Sequence, residues 1–420
     1  MNLGIFEDQA PNLYPLTLNR PVYELRCGYV TLRERLVREF PGVPVHLGMR
    51  AYLVPVAQRR LPAQAINDAA PLMADDCLFV NGRWLIEHRQ LSLEGPEEVG
   101  LCDGQVVYAR AKAATIRQYL PGGWPGFLAA LRTALPTREV QARLIVYPWH
   151  LIQHNPQAMR EDFALIGQKG LKGKVSPLAT VYGPAEAAFV AASAEVQPFV
   201  VLDTRHGPVF VDEGAIVFPH TRIEGPAYIG RQTQVVGGKI REGTCLGPQC
   251  RVGGEVEESI IHGYSNKYHD GFLGHSYVGE WVNLGALTTN SDLKNDYGPV
   301  EVYVNGQLMD SGDNKVGCFI GDHTKTGIGT LINTGTVIGM MSNLLASGEP
   351  LPKLIPSFCW YFRGMFSRGM GLKNMIATAR AAMARRQVEL LPEEVALFEQ
   401  LYAQTKEERD TLIKQGRKKG

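Results

Sequence analysis

The chain has 420 residues, which is enough for two or three domains. Its 43 basic and 42 acidic side chains leave a net charge of +1, so the charge predicts neither a nucleic-acid partner nor binding to an anionic membrane. No apolar run approaches the length of a membrane span, and the first nine residues carry acids where a secretion signal carries bases. Seven cysteines without paired spacing indicate a reducing compartment, so we expect a soluble, cytoplasmic protein.

Residues 1–205 have the pattern of a layered α/β domain. Short apolar runs that are typical of buried strands lie at 3–6, 78–80, 106–108 and 144–147. Between them, amphipathic stretches such as 30–40 and 126–134 are typical of helices. The segment 198–208 is expected to join this domain to the next part of the chain.

From Val211 to Leu344 an aliphatic residue returns at every sixth position. A helix needs a period near 3.6 and a two-faced strand a period of 2, so this interval predicts a parallel β-helix of hexapeptide repeats. Each repeat residue is expected to point into a triangular prism of roughly six coils, with Gly, Asn or Asp at the turns between strands. The repeat residues are Val211, Val217, Ile223, Ile229, Val235, Ile240, Leu246, Val252, Phe272, Val278, Leu284, Ile320, Thr326, Ile332, Ile338 and Leu344.

The repeats assign residues 206–350 to the β-helix, with an insertion at 291–319. Inside the insertion, Asn305-Gly306 between alternating residues predicts a hairpin. The pattern leaves open whether this insertion extends over a neighbouring subunit or is a local excursion. Residues 351–420 are predicted to be a helical extension, whose last helix opens at Pro392.

The six-residue pattern lapses between His262 and His275, where polar residues gather. His269 lies three residues before the restart at Phe272, which predicts a position at a coil corner. An imidazole there can accept a proton from an attacking amine or hydroxyl. The alternative is a turn histidine without chemistry, and the spacing alone favours that interpretation.

This part of the chain resembles the acetyltransferase half of the bifunctional enzymes that acetylate glucosamine-1-phosphate and then uridylate it. The resemblance rests on the sequences at 269–274, 278–286 and 288–290. It implies that His269 is the general base, that Asn283 contacts the substrate and that Asn290 lies near the acetyl group. The chain departs from the family at Phe272, where the family has Tyr, and at Glu257, where the family has a basic residue.

The resemblance also implies the ligands and the assembly. Acetyl-CoA would be the co-substrate, a sugar phosphate or nucleotide sugar the acceptor, and a homotrimer of left-handed β-helices the assembly. No metal is implied for the acyl transfer. The residues expected to bind substrate or acyl-CoA are Asn283, Asn290, Gly285, Ala286, Phe272 and Lys267.

Residues 13–21 resemble the opening of sugar-1-phosphate nucleotidyltransferases. In that family a glycine-rich loop cradles the triphosphate, but here Glu7 and Asp8 stand in that loop, and Val22 replaces the catalytic lysine. Asn81 stands where the family has a metal-binding Asp. The candidates for phosphate binding are Thr17, Arg20 and Arg26, and Mg²⁺ would be required only if this domain is active.

His150 and His154 lie four residues apart, a spacing that two metal ligands on one helix can use. Prolines at 148 and 156 bracket the pair and no acidic partner is apparent, so no metal site is predicted there.

Together, the two resemblances cover most of residues 1–350 and indicate a divergent group of sugar nucleotidyltransferase-like proteins fused to a β-helix. The leading hypothesis is CoA-dependent acyl transfer with His269 as base and a degenerate N-terminal domain. One alternative is an active sugar-1-phosphate nucleotidyltransferase whose β-helix is structural. A second alternative is a non-catalytic assembly subunit that senses sugar nucleotides.

Overall fold

The computed structural model describes residues 1–120, 124–345 and 348–417, and its chain divides into two compact units. The first unit comprises Met1–Ala10, Asn19–Leu25 and Val30–Val146, and the second comprises Pro11–Leu18, Arg26–Tyr29 and Tyr147–Gly420. None of the helices among the described residues is long and apolar enough to span a membrane.

The first part of the chain forms short strands and helices in alternation. The strands are β1 (Asn2–Phe6), β2 (Arg26–Cys27), β3 (Val30–Thr31), β4 (Val45–Gly48), β5 (Ala65–Ile66), β6 (Cys77–Asn81), β7 (Glu98–Cys102), β8 (Gln105–Ala111) and β9 (Thr137–Glu139). The helices are α1 (Leu32–Glu39), α2 (Val54–Arg60), α3 (Ala70–Ala74), α4 (Ala113–Tyr119) and α5 (Trp124–Ala134). The predicted runs at 3–6, 78–80 and 106–108 lie in β1, β6 and β8, whereas the run at 144–147 makes only a bridge from Leu144 to Trp84.

The first unit is built on a seven-stranded mixed sheet in the order β5-β4-β1-β6-β8-β7-β9. The central strand β1 is buried along its whole length and pairs in parallel with β4 and β6. Phe79 of β6 packs edge-on against Phe127 of α5, with ring centroids 4.8 Å apart. This packing of helices on the sheet is the α/β layer that the alternating sequence pattern predicts.

The second unit contains a β-helix in which most strands stack in parallel on the strand one coil away. The first face consists of β10 (Gly170–Leu171), β13 (Ala188–Val190), β16 (Val209–Val211), β19 (Ala227–Ile229), β21 (Thr244–Leu246), β23 (Ile260–Gly263), β26 (Tyr277–Glu280), β30 (Phe319–Ile320), β33 (Val337–Ile338) and β35 (Leu354–Ile355). Its ten strands exceed the roughly six coils that the repeats predict.

Two further faces complete each coil. The second face consists of β11 (Lys174–Val175), β14 (Glu195–Val196), β17 (Ile216–Val217), the first halves of β20 (Gln234–Ile240) and β22 (Arg251–Glu257), β24 (Asn266–Lys267), β31 (Lys325–Thr326), β34 (Asn343–Leu344) and β36 (Trp360–Phe362). The third face consists of β12 (Thr180–Tyr182), β15 (Val201–Asp203), β18 (Arg222–Glu224), the second halves of β20 and β22, β25 (Phe272–Gly274), β27 (Thr289–Asn290) and β32 (Leu331–Ile332). The stacked strands are those of the predicted left-handed parallel β-helix.

Stacking begins at Gly170, ahead of residue 206, where the sequence analysis starts the β-helix. The signal for the earlier coils is present in the sequence, because Val190, Val196 and Leu202 are six apart and all buried. A longer turn then separates Leu202 from Val211 and interrupts the six-residue interval. The uninterrupted run of repeats therefore begins only at Val211.

The interior of the prism is lined by one residue per strand, and most of these residues are the predicted ones. Burying each aliphatic side chain stabilises the fold by about 1.5–3 kcal/mol. The prediction is wrong by one residue at Phe272, which is half-buried, because Leu273 takes the interior position beside Val256. Lys267 also takes an interior position, where it is 3% exposed in register with Val252.

Most corners between the first and second faces differ from the expected Gly, Asn or Asp, although Gly214 occupies one of them. The backbone there is left-handed, with φ between 53° and 61°, at Gln232, Gln249, Tyr264, Trp281, His323, Met341 and Phe358. Tyr264 stacks on Trp281 at 4.4 Å, and Trp281 on His323 at 6.2 Å. Contacts between side chains of successive coils help to offset the cost of this backbone conformation.

Between β27 and β30 the chain leaves the coil and forms an antiparallel hairpin of β28 (Glu301–Val304) and β29 (Gln307–Asp310), with Asn305-Gly306 at its turn. The remaining elements are α6 (Pro148–Ile166), β37 (Met365–Ser367), α7 (Leu372–Ala384), α8 (Pro392–Gln404) and α9 (Lys406–Arg417). Pro392 is the first residue of α8, as its sequence predicts, but α9 follows that helix. The helical extension predicted over 351–420 also begins later than expected, because β35 and β36 still stack on the β-helix.

Candidate functional site

His269 lies in the bend between β24 and β25, at the corner between the second and third faces, and its side chain is exposed. Its ring lies 5.2 Å from that of Tyr268. The corner position and the solvent access both suit a residue that exchanges protons with a substrate. Its role as general base stays a prediction.

Lys267 was expected to bind a ligand, but its ammonium group is turned into the prism. Its Nζ donates hydrogen bonds to the carbonyl oxygens of Gly253, at 2.8 Å, and His269, at 3.3 Å. Burial lowers the pKa of Lys267 to about 8, although Asp270 and Glu255 act in the opposite direction. The side chain therefore holds the backbone of the corner that carries His269, and ligand binding by Lys267 stays a prediction.

Asn283 lies outward on the second face and bridges Asn266 on one side and Lys325 on the other. The Asn266 amide donates to the Asn283 side-chain oxygen at 3.3 Å. The outward residues of successive coils thus form a polar row on this face, which consists of Arg251, Asn266, Asn283, Lys325 and Asn343.

The other predicted contacts have structural partners. The Asn290 side chain accepts from Gly274 N at 2.8 Å and donates to Gly274 O at 3.0 Å, so it replaces backbone pairing between two coils. Gly285 is required for close stacking, because a Cβ there would lie 2.7 Å from the Gly327 carbonyl. The Ala286 carbonyl accepts from Gly329 N at 2.8 Å.

A groove runs between the second face and α7, next to Asn283. It encloses a cavity of about 320 Å³ lined by Tyr264, Asn266, Trp281, Val282, Asn283, Lys325, Thr378, Ala381, Ala382, Arg385 and Arg386. Lys325 Nζ donates to the carbonyl oxygens of Trp281 and His323, at 2.6 and 3.0 Å. Burial lowers the pKa of Lys325 to about 8, against the opposing effect of Asp322.

Three residues of the groove are not among those that the sequence predicts for the site: Asn266, Lys325 and Arg386. The sequence carries a signal for Asn266 and Lys325. On the second face the residue directly before each interior position points outward, and four successive coils have Asn or Lys at that outward position. No such period announces Arg386, which reaches the groove from the segment after α7 and donates to Asn266 Oδ1 at 2.8 Å.

A second titratable cluster lies at the corner between the third and first faces. His275 Nδ1 lies 2.8 Å from Asp292, and its Nε2 lies 3.4 Å from Glu258. Burial lowers the pKa of His275, but the bonds to Asp292 and Glu258 outweigh that effect and raise the pKa to about 9. The imidazole is therefore protonated at neutral pH and bridges three successive coils. A cavity of about 320 Å³ adjoins it, lined in part by Trp149, Gln153 and Lys315.

In the first unit, the loop after β1 is occupied by its own ion pairs. Glu7 accepts from the backbone N–H of Val22, at 3.2 Å, and from both the backbone and the guanidinium of Arg50, at 2.6 and 2.9 Å. Asp8 lies 2.6 Å from the fully buried guanidinium of Arg83 and accepts from the Asn81 amide at 3.2 Å. Carboxylates therefore take the donors that a bound phosphate would otherwise use.

The three phosphate candidates do not fall within one unit. Thr17 is fully buried and lies in the second unit with Arg26, whereas Arg20 lies in the first unit. The Arg26 backbone N–H donates to the Tyr277 hydroxyl at 2.9 Å, and its guanidinium donates to the Tyr29 carbonyl. The Arg26 side chain thus serves an internal contact. Phosphate binding by Thr17, Arg20 and Arg26 stays a prediction.

His150 and His154 lie on α6, with ring centroids 6.2 Å apart. Among the described residues, no group of three or more His, Cys, Asp or Glu side chains is arranged to hold a metal ion.

Residues 3–170 match the family described as sugar nucleotidyl transferase. The chain is 37% identical over 107 residues to the bifunctional sugar-1-phosphate nucleotidylyltransferase/acetyltransferase of Sulfurisphaera tokodaii, covering 25% of this chain and 27% of that protein. It is 36% identical over 139 residues to the bifunctional protein GlmU of Methanococcus maripaludis, covering 32% and 34%. The chain thus spans about a quarter to a third of the length of these relatives.

Among solved structures, the chain is similar to a UDP-N-acetylglucosamine acyltransferase of Francisella novicida, with a TM-score of 0.36 and 15% identity over 53% of this chain and 76% of that one. Residues 3–170 are thus similar to the sugar nucleotidyl transferase family, and parts of the chain are similar to bifunctional transferases of the kind that the sequence resembles.

Proposed function

We propose that the chain transfers an acyl group from acetyl-CoA to a sugar phosphate or nucleotide sugar, with His269 as general base. The imidazole of His269 is exposed, at a corner whose backbone Lys267 holds, and this observation carries the proposal. The same coil contributes Asn266 to the groove that contains Asn283. The name of the Sulfurisphaera tokodaii relative, which includes an acetyltransferase activity, supports the same chemistry.

In the proposed step, an amino or hydroxyl group of the acceptor attacks the thioester carbonyl while His269 accepts its proton. The tetrahedral intermediate collapses, the carbon–sulfur bond breaks, and the thiolate of CoA leaves and takes up a proton. Asn283 would orient the acceptor, since a side-chain amide can both donate and accept hydrogen bonds. A homotrimer and a cytoplasmic location belong to this proposal through the resemblance to the family.

The test replaces His269 by Gln and follows the formation of CoA and acylated sugar by mass spectrometry. Loss of a general base should lower kcat by about 100-fold to 10,000-fold. His220→Gln is the matched control, because His220 is an exposed histidine at the same kind of corner, between β17 and β18. Undiminished turnover in His269→Gln would exclude this histidine as the base.

Nucleotidyl transfer is the second candidate, and the family match of residues 3–170 favours it. The ion pairs of Glu7 with Arg50 and of Asp8 with Arg83 oppose it. The assay is release of pyrophosphate from a nucleoside triphosphate and a sugar-1-phosphate in the presence of Mg²⁺. Release at a rate that depends on Arg20 or Arg26 would establish this activity and leave the β-helix a structural role. A chain that only senses sugar nucleotides would bind them without turnover in either assay.

A further inference from the structure

The charged residues that line the groove beneath α7 are all basic. Lys325, Arg385 and Arg386 are its charged lining residues, and the lining contains no Asp or Glu. Arg251 lies on the same face, one coil from Asn266. None of these four cations forms an ion pair with another residue in the part of the chain that the structure describes, although the charge of Asp322 opposes the lowering of the pKa of Lys325 by burial.

Three of these cations, Arg251, Arg385 and Arg386, are close enough for their charges to affect one another. Burial and then the charge of Arg386 lower the pKa of Arg251, and burial and then the charge of Arg385 lower the pKa of Arg386. Like charges held together in a partly buried place are unfavourable unless an anion compensates them. A bound anion would supply that compensation.

The arginines have another conceivable role, which is to neutralise the negative end of α7, because that helix ends at Ala384. The geometry argues against it for Arg386, whose guanidinium donates to the side-chain oxygen of Asn266 on the β-helix, at 2.8 Å. The guanidinium is thus directed across the groove and away from the helix carbonyls. Its buried Nε has no hydrogen-bond partner among the described residues.

We propose that this groove binds a phosphoryl group of a phosphorylated organic ligand, held by Arg385, Arg386 and Lys325. Guanidinium groups match the geometry of phosphate oxygens with paired N–H donors, and the ammonium of Lys325 contributes a point charge. Lys325 uses two of its three donors on carbonyl oxygens. The Asn266 and Asn283 amides provide polar contacts for the organic part of the ligand.

The proposal also accounts for a departure from the family. The basic residue expected near the active histidine is Glu257 here, and that carboxylate is already paired with Arg241 at 2.9 Å and approached by Lys315 at 3.9 Å. The groove places three basic side chains near Asn283 instead. The inference concerns binding alone and does not depend on the proposed acyl transfer, although both the CoA donor and a nucleotide-sugar acceptor carry phosphoryl groups.

The test is calorimetric titration of the full chain with coenzyme A, 3′-dephospho-coenzyme A, UDP-N-acetylglucosamine and the uncharged sugar N-acetylglucosamine. We expect a phosphorylated probe to bind and the uncharged sugar not to bind. In the double variant Arg385→Gln/Arg386→Gln, Kd should rise at least about tenfold, and affinity should depend less on salt concentration. Arg380→Gln is the matched control, because Arg380 is an exposed arginine of α7 outside the cavity lining, and its Kd should stay within about twofold.

The probes distinguish the source of the phosphoryl group. Binding that weakens on removal of the 3′-phosphate identifies the CoA donor, whereas binding of UDP-N-acetylglucosamine alone identifies the acceptor. Absence of binding by every phosphorylated probe, or equal Kd values for the double variant and Arg380→Gln, overturns the proposal. His269→Gln should bind the probes as the wild type does, so loss of turnover with retained binding separates this inference from the proposed reaction.

Discussion

Protonation of His275 should make the stability of the β-helix depend on pH. His275 is 6% exposed and pairs with Asp292 at 2.8 Å and with Glu258 at 3.4 Å. Its pKa in the folded chain is about 9, compared with an ordinary value of 6.5. Each pKa unit corresponds to about 1.36 kcal/mol, so the protonated imidazole contributes roughly 3 kcal/mol to the free energy of unfolding.

The sign follows from which state holds the proton more tightly. Because the folded chain does, the contribution is complete below the unfolded pKa near 6.5 and is lost as pH rises through about 9. The variant His275→Gln lacks this contribution. The difference in free energy of unfolding between wild type and variant should therefore shrink by roughly 3 kcal/mol between pH 6 and pH 9.5.

The assay is urea denaturation of both chains, followed by circular dichroism at several pH values. Gln suits the site, because Gln232 and Gln249 occupy corners with similarly positive φ. His220→Gln is the control, since it removes an exposed corner histidine that has no carboxylate partner among the described residues. If the free energies of unfolding of wild type and His275→Gln differ by the same amount at pH 6 and pH 9.5, the proton on His275 does not stabilise the fold.

Two further predictions concern glycine and cysteine. Gly247→Ala should destabilise the β-helix strongly, because a Cβ would lie 1.9 Å from the His262 carbonyl oxygen. Gly329→Ala should lower the free energy of unfolding by only about 1 kcal/mol, because Gly329 has φ +68° but open space where a Cβ would lie. Thermal unfolding of the two variants compares them. Of the seven cysteines, only Cys102 is partly exposed, so a thiol reagent at pH 8 should modify about one thiol per folded chain and all seven after denaturation. Rapid reaction of several thiols in the folded chain would contradict the burial.

The β-helix was predictable because its interior accepts mostly aliphatic residues at a fixed interval, so aliphatic residues recur in the sequence at every sixth position. The prediction is wrong by one residue at Phe272, where the loop around His269 shifts the phase and Leu273 turns inward. The earlier coils were missed for the same reason, since a longer turn interrupts the interval after Leu202. The period thus identifies the architecture well and the exact register poorly wherever a loop changes length.

The candidate site was predictable only in part, because its residues come from different kinds of sequence signal. His269 and Asn283 were found through a motif, and both are at positions that solvent or a groove can reach. Lys267 looked like a ligand contact because it is charged and adjoins the motif, but alternation along β24 turns it inward. Arg386 carries no periodic signal, and only the path of the chain after α7 brings it to Asn266.

The buried Lys267 explains how a regular prism can hold an irregular corner. An aliphatic residue at this interior position would pack well but would leave the carbonyl oxygens of Gly253 and His269 without this donor. Lys267 satisfies both, at the expense of a buried ammonium whose pKa is lowered to about 8. Burying the ammonium group costs free energy, but its hydrogen bonds fix the backbone at His269. Lys267 at this position therefore indicates that a defined corner is required, and packing alone does not explain it. Lys267, a charged residue at an interior position, therefore indicates the same corner of the β-helix as the motif around His269 does.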